Sequence, residues 1–585
     1  MGLAAGVGRG RCAGRDVVGA AGWRRRSGVV AACAAIALIA TGCSSSGHPS
    51  QSSQAAPPSS TGGTQVSTAP ISGAGIGSAA ALAAPNCDPS TKRVRLPSFV
   101  APPCVDPWPS GSNNGGATAQ GVTTTSVKVV VLVAGGASDK TTAPGVIYDQ
   151  ATKSAGTEQD AVLDNAAMFS HVMQTWGRTV QFQFVQASGA DEAAQRADAV
   201  AVRAMKPFAV IDAAEFAPSK GTIPVGGGTV FDQAVSADPN IVLVGGQTLL
   251  ALNHGNDDIA VNSAGFIGKE LANQPAKWAG DPSMQQETRR FGVIYQAGQG
   301  GLPITLFDQT LATFDVKAAL EESYTPPADA TTAPALYQQL APTIIAKMKS
   351  AGVNNIVMFT DGSVMGPALT NAAASQDYYP EWTITGFSVQ DLDLYQKFEN
   401  QKEWAHAFGT GWFTPYVVSE GDPLTALFDW FWGAGEGTRS DGYFADVYDL
   451  YASVQLAGPS LTVATFTKAL SAIPPAGGAA SGQVTTYENV PAKPGLAHDF
   501  TLVWWNPNAT GVANVLGNTE TGVEEYVNGG KRYAPGQEPS GPQPFFDPSQ
   551  SVLSYPTLPA SDTPPSYACT GCPSSGGGPA PANVG

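Results

Sequence analysis

Ser126–Val133 reads SVKVVVLV, a nearly unbroken β-branched run that ends in Ala134, Gly135 and Gly136. Apolar side chains on both faces suit a strand covered on both sides, the situation of a parallel sheet flanked by helices. The chain then repeats that requirement. Helical spacing over residues 158–176 stops at Gly177, Thr179–Gln186 alternates as a strand, an alanine-rich helix covers 191–205, and 208–213 and 241–246 are short buried strands. A second series starts after a polar stretch at 281–290, with a strand at Phe291–Gln296, a helix over 341–351 closed by Gly352, a strand over 355–360, a helix over 364–376 and a strand over 382–386. Helices over 440–457 and 461–473 and a strand over 500–505 follow. Strand and helix in alternation predict an α/β fold. Two such series over about 400 residues exceed one ordinary domain, so the expectation is two doubly wound parallel-sheet lobes joined by a hinge.

The N-terminus sets the expected compartment. Arg24, Arg25 and Arg26 precede an apolar run, VVAACAAIALIA, of signal-peptide length rather than membrane-span length, and Ala40-Thr41-Gly42-Cys43 closes it. A small residue before a cysteine is similar to a bacterial lipobox, with Cys43 as the lipid-attachment residue; an ordinary signal peptide ending near a cysteine is the competing reading. The Ser/Gly/Pro/Ala/Thr stretch that follows has too few apolar side chains to offset the entropy of ordering it. As a flexible linker of about 40 residues it reaches roughly 35 Å. The whole chain carries 47 acidic and 31 basic side chains; without residues 1–42, which hold six arginines and one aspartate, 46 and 25 remain, a net charge of -21. Such acidity argues against nucleic acid or an anionic bilayer surface as a partner.

Four cysteines remain after Cys43. An even number in an oxidising compartment reads as disulfides, and Cys87 with Cys104 and Cys569 with Cys572 close two local loops. Zinc is the rival at Cys569-Thr570-Gly571-Cys572, set aside because no histidine lies near either pair in the sequence. The organisation expected is a lipoprotein signal peptide at 1–42, a disordered tether at 43–84, a cysteine-containing wrap at 85–125, lobe 1 at 126–285, lobe 2 at 286–415, a return segment to lobe 1 and hinge at 416–505, and a Gly/Pro-rich tail at 506–585.

Four stretches between Gly121 and Ile473 carry a family resemblance. These are Gly121-Val122-Thr123 leading into the first strand; Trp176-Gly177-Arg178 before TVQFQFV and an alanine-rich helix; Ile344 to Val353 with NNIVMFTD and then Pro380-Glu381-Trp382; and Tyr448-Asp449-Leu450 through Ala457-Gly458-Pro459, then Leu461 to Leu470. Together they resemble the type I periplasmic binding fold, in its branched-chain amino-acid type of substrate-binding lipoprotein serving ABC transporters. The resemblance implies an extracytoplasmic, membrane-anchored protein that holds a small ligand, an amino acid, amide or similar, for a permease. The chain departs from the family pattern at Gln186-Ala187-Ser188-Gly189, where the family often places an aspartate-bearing loop, so the family's ligand is not carried over.

In this architecture ligands sit at the carboxyl ends of parallel strands. That rule selects Gly136, Ser138, Glu215, Phe216, Gln247, Thr248, Gln296, Asp361 and Ser363 as ligand-binding candidates. Glu215 and Asp361 suit an amine, Ser138 and Thr248 a carboxylate, and Phe216 a wall; for each, a loop residue satisfying local backbone is the competing reading. No cofactor, metal or catalytic residue is expected. A hydrolase is the enzymatic rival, but no G-x-S-x-G elbow occurs and the five histidines are scattered. Gly226-Gly227-Gly228 and Gly298-Gln299-Gly300-Gly301 lack the lysine or acid a nucleotide site requires. Trp430 and Trp432, at near-helical spacing, read as core before they read as a sugar platform. A cell-surface sensor or scaffold that keeps the binding fold without transport is the rival from another class.

Overall fold

The computed structural model describes residues 73–133, 158–188, 192–212, 229–232, 248–298, 300–327, 332–418, 423–436, 443–477, 488, 495–514, 517–558 and 560–576. The signal, the lipobox with Cys43, most of the tether and the strand expected over 241–246 lie outside them.

The first lobe is built from β1 (Ser126–Val133), α1 (Glu158–Val172), β2 (Thr179–Gln186), α2 (Glu192–Ala204), β3 (Ala209–Asp212), β4 (Thr229–Asp232) and β5 (Thr248–His254). Five strands pair in parallel in the order β5-β4-β3-β1-β2. Val127, Val129, Val130, Val131 and Leu132 of β1 are all fully buried, as a central strand covered on both faces requires. The chain then leaves at Gly255 into α3 (Asn256–Phe266), whose Ile259, Ala260, Ala264 and Phe266 pack with Phe291, Val293 and Leu502 in the core of the second lobe.

That lobe follows as β6 (Phe291–Gln296), α4 (Ile304–Ala312), β7 (Leu320–Tyr324), α5 (Ala333–Ser350), β8 (Asn355–Phe359), α6 (Met365–Ser375), β9 (Glu381–Ile384) and β10 (Ala407–Gly411). These strands are parallel in the order β7-β6-β8-β9-β10. From β10 the chain returns to the first lobe as α7 (Pro423–Trp432), α8 (Phe444–Ala457) and α9 (Val463–Leu470), which contribute Phe428, Phe431, Tyr451, Leu456 and Phe466 to that core. Trp430 and Trp432 pack against the same core, the bland reading of that aromatic run. β11 (Gly495–Ala497) then adds a parallel strand beside β5, and the chain crosses a third time, at His498 and Asp499, into β12 (Phe500–Val512) and β13 (Thr519–Val527). β12 pairs antiparallel with β10, and β13 with β12.

The two-lobed α/β expectation is thus met, but residues 506–527 are not a tail. They complete the second sheet, burying Val523 and Tyr526. Among the described residues both cysteine pairs are disulfides in the connectivity expected, Cys87–Cys104 and Cys569–Cys572. The wrap is docked through Val94, Leu96, Ala101 and Val105, which join the first-lobe core. The expectation that no histidine stands near a cysteine pair fails: packing of the C-terminal segment against α1 and α7 brings His171 beside Cys569 and Cys572. No described helix is long and apolar enough to cross a membrane.

Candidate functional site

Connectivity fixes where a site between the lobes must lie. The chain leaves the first sheet at the carboxyl ends of β5 and β11 and the second at the carboxyl end of β10. Because Thr501 pairs with Gly411 in antiparallel register, β12 begins beside the end of β10. All three crossings therefore join the carboxyl edges of the two parallel arrays, where loops and unsatisfied backbone groups collect.

Hydrogen bonds bind the crossings into one unit. The Nε2–H of His254, at the end of β5, donates to the carbonyl oxygen of Asp499 in the third crossing. His498 Nδ1 lies 2.6 Å from Asp258 Oδ2 on α3, and Asn262 Nδ2 donates to the His498 carbonyl at 3.0 Å. Arg532 grips Asp499 through Nε to Oδ2 at 2.7 Å and Nη2 to Oδ1 at 3.2 Å. Its Nη1 also donates to the Phe413 carbonyl, 3.3 Å away in the second crossing. Arg532 and Asp499 are both buried, so each neutralises a charge that would otherwise stand desolvated.

Of the nine candidate residues drawn from the sequence, Gly136, Ser138, Glu215, Phe216 and Gln247 lie outside the described residues. Thr248 is displaced from its expected role: it opens β5 rather than following a strand, which puts it at the amino edge, opposite the crossings. Gln296, Asp361 and Ser363 do come together on one edge, at the ends of the neighbouring strands β6 and β8. Gln296 is buried, with Nε2 directed at the Gly300 carbonyl at 3.4 Å. Asp361 does not present a free carboxylate to an amine. Its Oδ1 accepts from Ser363 Oγ at 3.0 Å and from the N–H groups of Val364 at 2.7 Å and Met365 at 3.2 Å, which occupies it at the start of α6. Burial pushes its pKa up, and these donors pull it back.

Among the residues that offer unused bonding capacity, two neighbours follow β9. Gly386 (φ +73°), Ser388 (φ +50°) and Val389 (φ +52°) fold this loop tightly; a valine in the left-handed region costs roughly 1–3 kcal/mol, a cost that tertiary packing must hold in place. A Cβ on Gly386 would stand 3.1 Å from Trp412 Cδ1, so glycine admits the Trp412 ring there. Beyond the bend, Gln390 Oε1 accepts from the Thr385 N–H at 3.1 Å, while its Nε2 is buried without a partner among the described residues. Asp391 Oδ2 accepts the N–H groups of Trp412 at 2.7 Å and Phe413 at 3.2 Å, and its Oδ1 is buried and unpartnered. The Trp412 ring stacks on Phe413 with centroids 4.1 Å apart and lies 5.6 Å from the ring of His254.

His254 completes the set from the other lobe. Since its Nε2 carries the proton given to Asp499, Nδ1 holds a lone pair, and that atom too is buried without a partner. Burial pushes the imidazole down to about 4, against the pull of Asp499, so the ring is neutral at pH 7. Burial pushes Asp391 up to about 6, opposed by the Trp412 and Phe413 N–H groups, so it is largely a carboxylate at pH 7. Each unpartnered buried group costs about 1–3 kcal/mol until something bonds to it. Two acceptors, His254 Nδ1 and Asp391 Oδ1, and one donor, Gln390 Nε2, are thus left unpartnered among the described residues at the carboxyl edges of the two sheets, on residues from both lobes.

No protein-family model and no curated protein matches this chain. Solved structures it resembles are substrate-binding proteins. One is a substrate-binding periplasmic protein from Ralstonia solanacearum, 14% identical, covering 65% of this chain and 97% of that one at a TM-score of 0.38. A second is an ABC-transporter solute-binding protein from R. palustris in complex with 4-hydroxybenzoate, 12% identical over 68% of this chain and 96% of that one, TM-score 0.41. A third is an ABC-transporter substrate-binding protein from Desulfitobacterium hafniense in complex with Leu, 11% identical over 70% and 99%, TM-score 0.37.

Proposed function

We propose that the chain is a lipid-anchored solute-binding protein on the extracytoplasmic face of the cell membrane, which captures a small polar ligand between its lobes for an ABC transporter and releases it unchanged. The observation that carries this reading is the set of buried, unpartnered polar atoms on Gln390, Asp391 and His254, drawn from both lobes and set where the crossings meet. An ionised Asp391 and a neutral His254 Nδ1 favour a ligand that brings N–H donors, an amine or amide, and Gln390 Nε2 supplies a donor for its carbonyl or carboxylate. A ligand held by both lobes favours the closed arrangement by its differential affinity for it.

Thermal-shift measurements on the mature chain against amino acids, amides, small peptides, polyols and sugars test the reading. A true ligand at a hundredfold its Kd adds about 2.7 kcal/mol, a rise of about 5–11 °C for lobes of this size. The rise should come from an amine- or amide-bearing class and vanish in Gln390→Ala. If no compound of any class raises the melting temperature, the binding reading fails. For the anchor, Cys43→Ser should move the chain from the membrane fraction to the medium; unchanged fractionation would count against lipidation.

A further inference from the structure

Cys569 and Cys572 belong to a C-terminal segment pinned to the first lobe. Trp430 Nε1 on α7 donates to the Tyr567 carbonyl at 2.7 Å, Ser574 Oγ donates to the Trp430 carbonyl at 2.6 Å, and Cys572 is fully buried in the first-lobe core. Cys569 is half-buried. Gly571 (φ +79°) turns the chain between them, and a Cβ on it would lie in ordinary contact, 3.5 Å, with Cε1 of His171. His171, in the last turn of α1, is solvent-exposed, and a nitrogen of its ring and both Sγ atoms all lie within 4.8 Å of one another. None of these residues contributes to the hinge site.

From this juxtaposition we infer that, when the disulfide is reduced, Cys569, Cys572 and His171 form a site for a thiophilic divalent cation, Zn(II). The C-x-x-C spacing brings two thiolates to one centre, and a histidine from elsewhere in the fold completes a Cys2His donor set whose fourth position faces solvent on the exposed His171 side. The His171 Nε2–H donates to the Thr570 carbonyl at 3.0 Å, so in this tautomer the lone pair that a cation would take is on Nδ1. Oxidised, the same sulfurs are joined and offer no thiolate; the site is therefore gated by redox state. Reduction by a phosphine consumes one disulfide and one water and gives two thiols and the phosphine oxide. Binding of the cation then releases the two thiol protons to solvent.

The test uses the full chain. Cys87 and Cys104 are only 2% and 3% exposed, whereas Cys569 is half-buried, so mild phosphine treatment is directed to the Cys569 sulfur. Reduced protein titrated with Co(II) should take up one equivalent and show thiolate-to-cobalt charge transfer in the near ultraviolet with intense visible d–d bands, both discharged by Zn(II). Cys569→Ser and Cys572→Ser should abolish the bands, and the exposed-site variant His171→Ala should weaken Co(II) binding by at least about tenfold. Reduced, folded protein that takes up no Co(II) overturns the inference, as does His171→Ala binding as tightly as the parent. Bands that survive in Cys569→Ser overturn it too, and so does reduction that destroys the near-ultraviolet circular dichroism without recovery on adding Zn(II).

Discussion

Two side chains of the hinge site titrate with opposite consequences, and one substitution separates them. Burial holds Asp391 at about 6, above its ordinary 3.8, so the folded chain binds more protons than the unfolded one across that interval. Its contribution to stability is therefore complete below about pH 4 and is lost as the pH rises through 6, about 3 kcal/mol in all. His254 is held at about 4, below its ordinary 6.5, so the unfolded chain binds the extra proton and stability is lost as the pH falls from 6.5 toward 4. Over pH 4–6 the two slopes oppose each other. In Asp391→Asn an amide oxygen still accepts from Trp412 and Phe413, but the titration is gone, which unmasks the histidine. Urea unfolding at pH 4.5 and 6.0 should show the variant gaining more stability with rising pH than the parent does. Every other titrating group is common to both chains, so equal gains would mean that Asp391 does not titrate in this range.

At the scale of elements, what the sequence disclosed and what it hid divide along a physical line. β1 and β8 were legible because burial on both faces leaves a short β-branched or apolar run; Val129–Leu132 of β1 and Asn355–Phe359 are buried at every position. The continuation of β12 beyond Trp505 was not, because Asn506-Pro507-Asn508 carries the ordinary mark of a turn. The strand survives by bulging between Asn506 and Thr510, where the side chain of Asn506 accepts the N–H groups of Asn508 and Ala509 and Pro507 gives up no ladder bond. The loop after β9 was hidden for a different reason. Beyond Gly386 its left-handed residues are Ser388 and Val389, types that do not advertise positive φ, so the two residues just before Gln390 and Asp391 carry no composition signal for the bend. Strand-end placement did reach Gln296, Asp361 and Ser363, but it could not tell that α6 would occupy the Asp361 carboxylate. His171 and Cys569 are brought together by tertiary packing alone, across nearly the whole folded chain, and no local pattern links them.

The whole molecule depends on what happens after the third crossing. β12 lies between β10 and β13, and its Leu502, Val503, Trp504 and Trp505 serve the cores on both faces of the second sheet. Arg532, just beyond, neutralises Asp499 and ties the third crossing to the second. A chain ending at residue 499 would bare the edge of β10, lose these large side chains at about 2–5 kcal/mol each, and leave Asp499 buried without its partner. That sum exceeds the roughly 5–15 kcal/mol by which a domain is stable. A chain ending at residue 558 loses the segment bearing Cys569 and Cys572 but keeps both sheets, all three crossings and Arg532. The first should aggregate or unfold without a cooperative transition, and the second should melt cooperatively and keep its thermal shift with ligand. Were the two truncations to behave alike, the third crossing would not be what joins the lobes, and a ligand held by Asp391 on one side and His254 on the other would have no hinge to close.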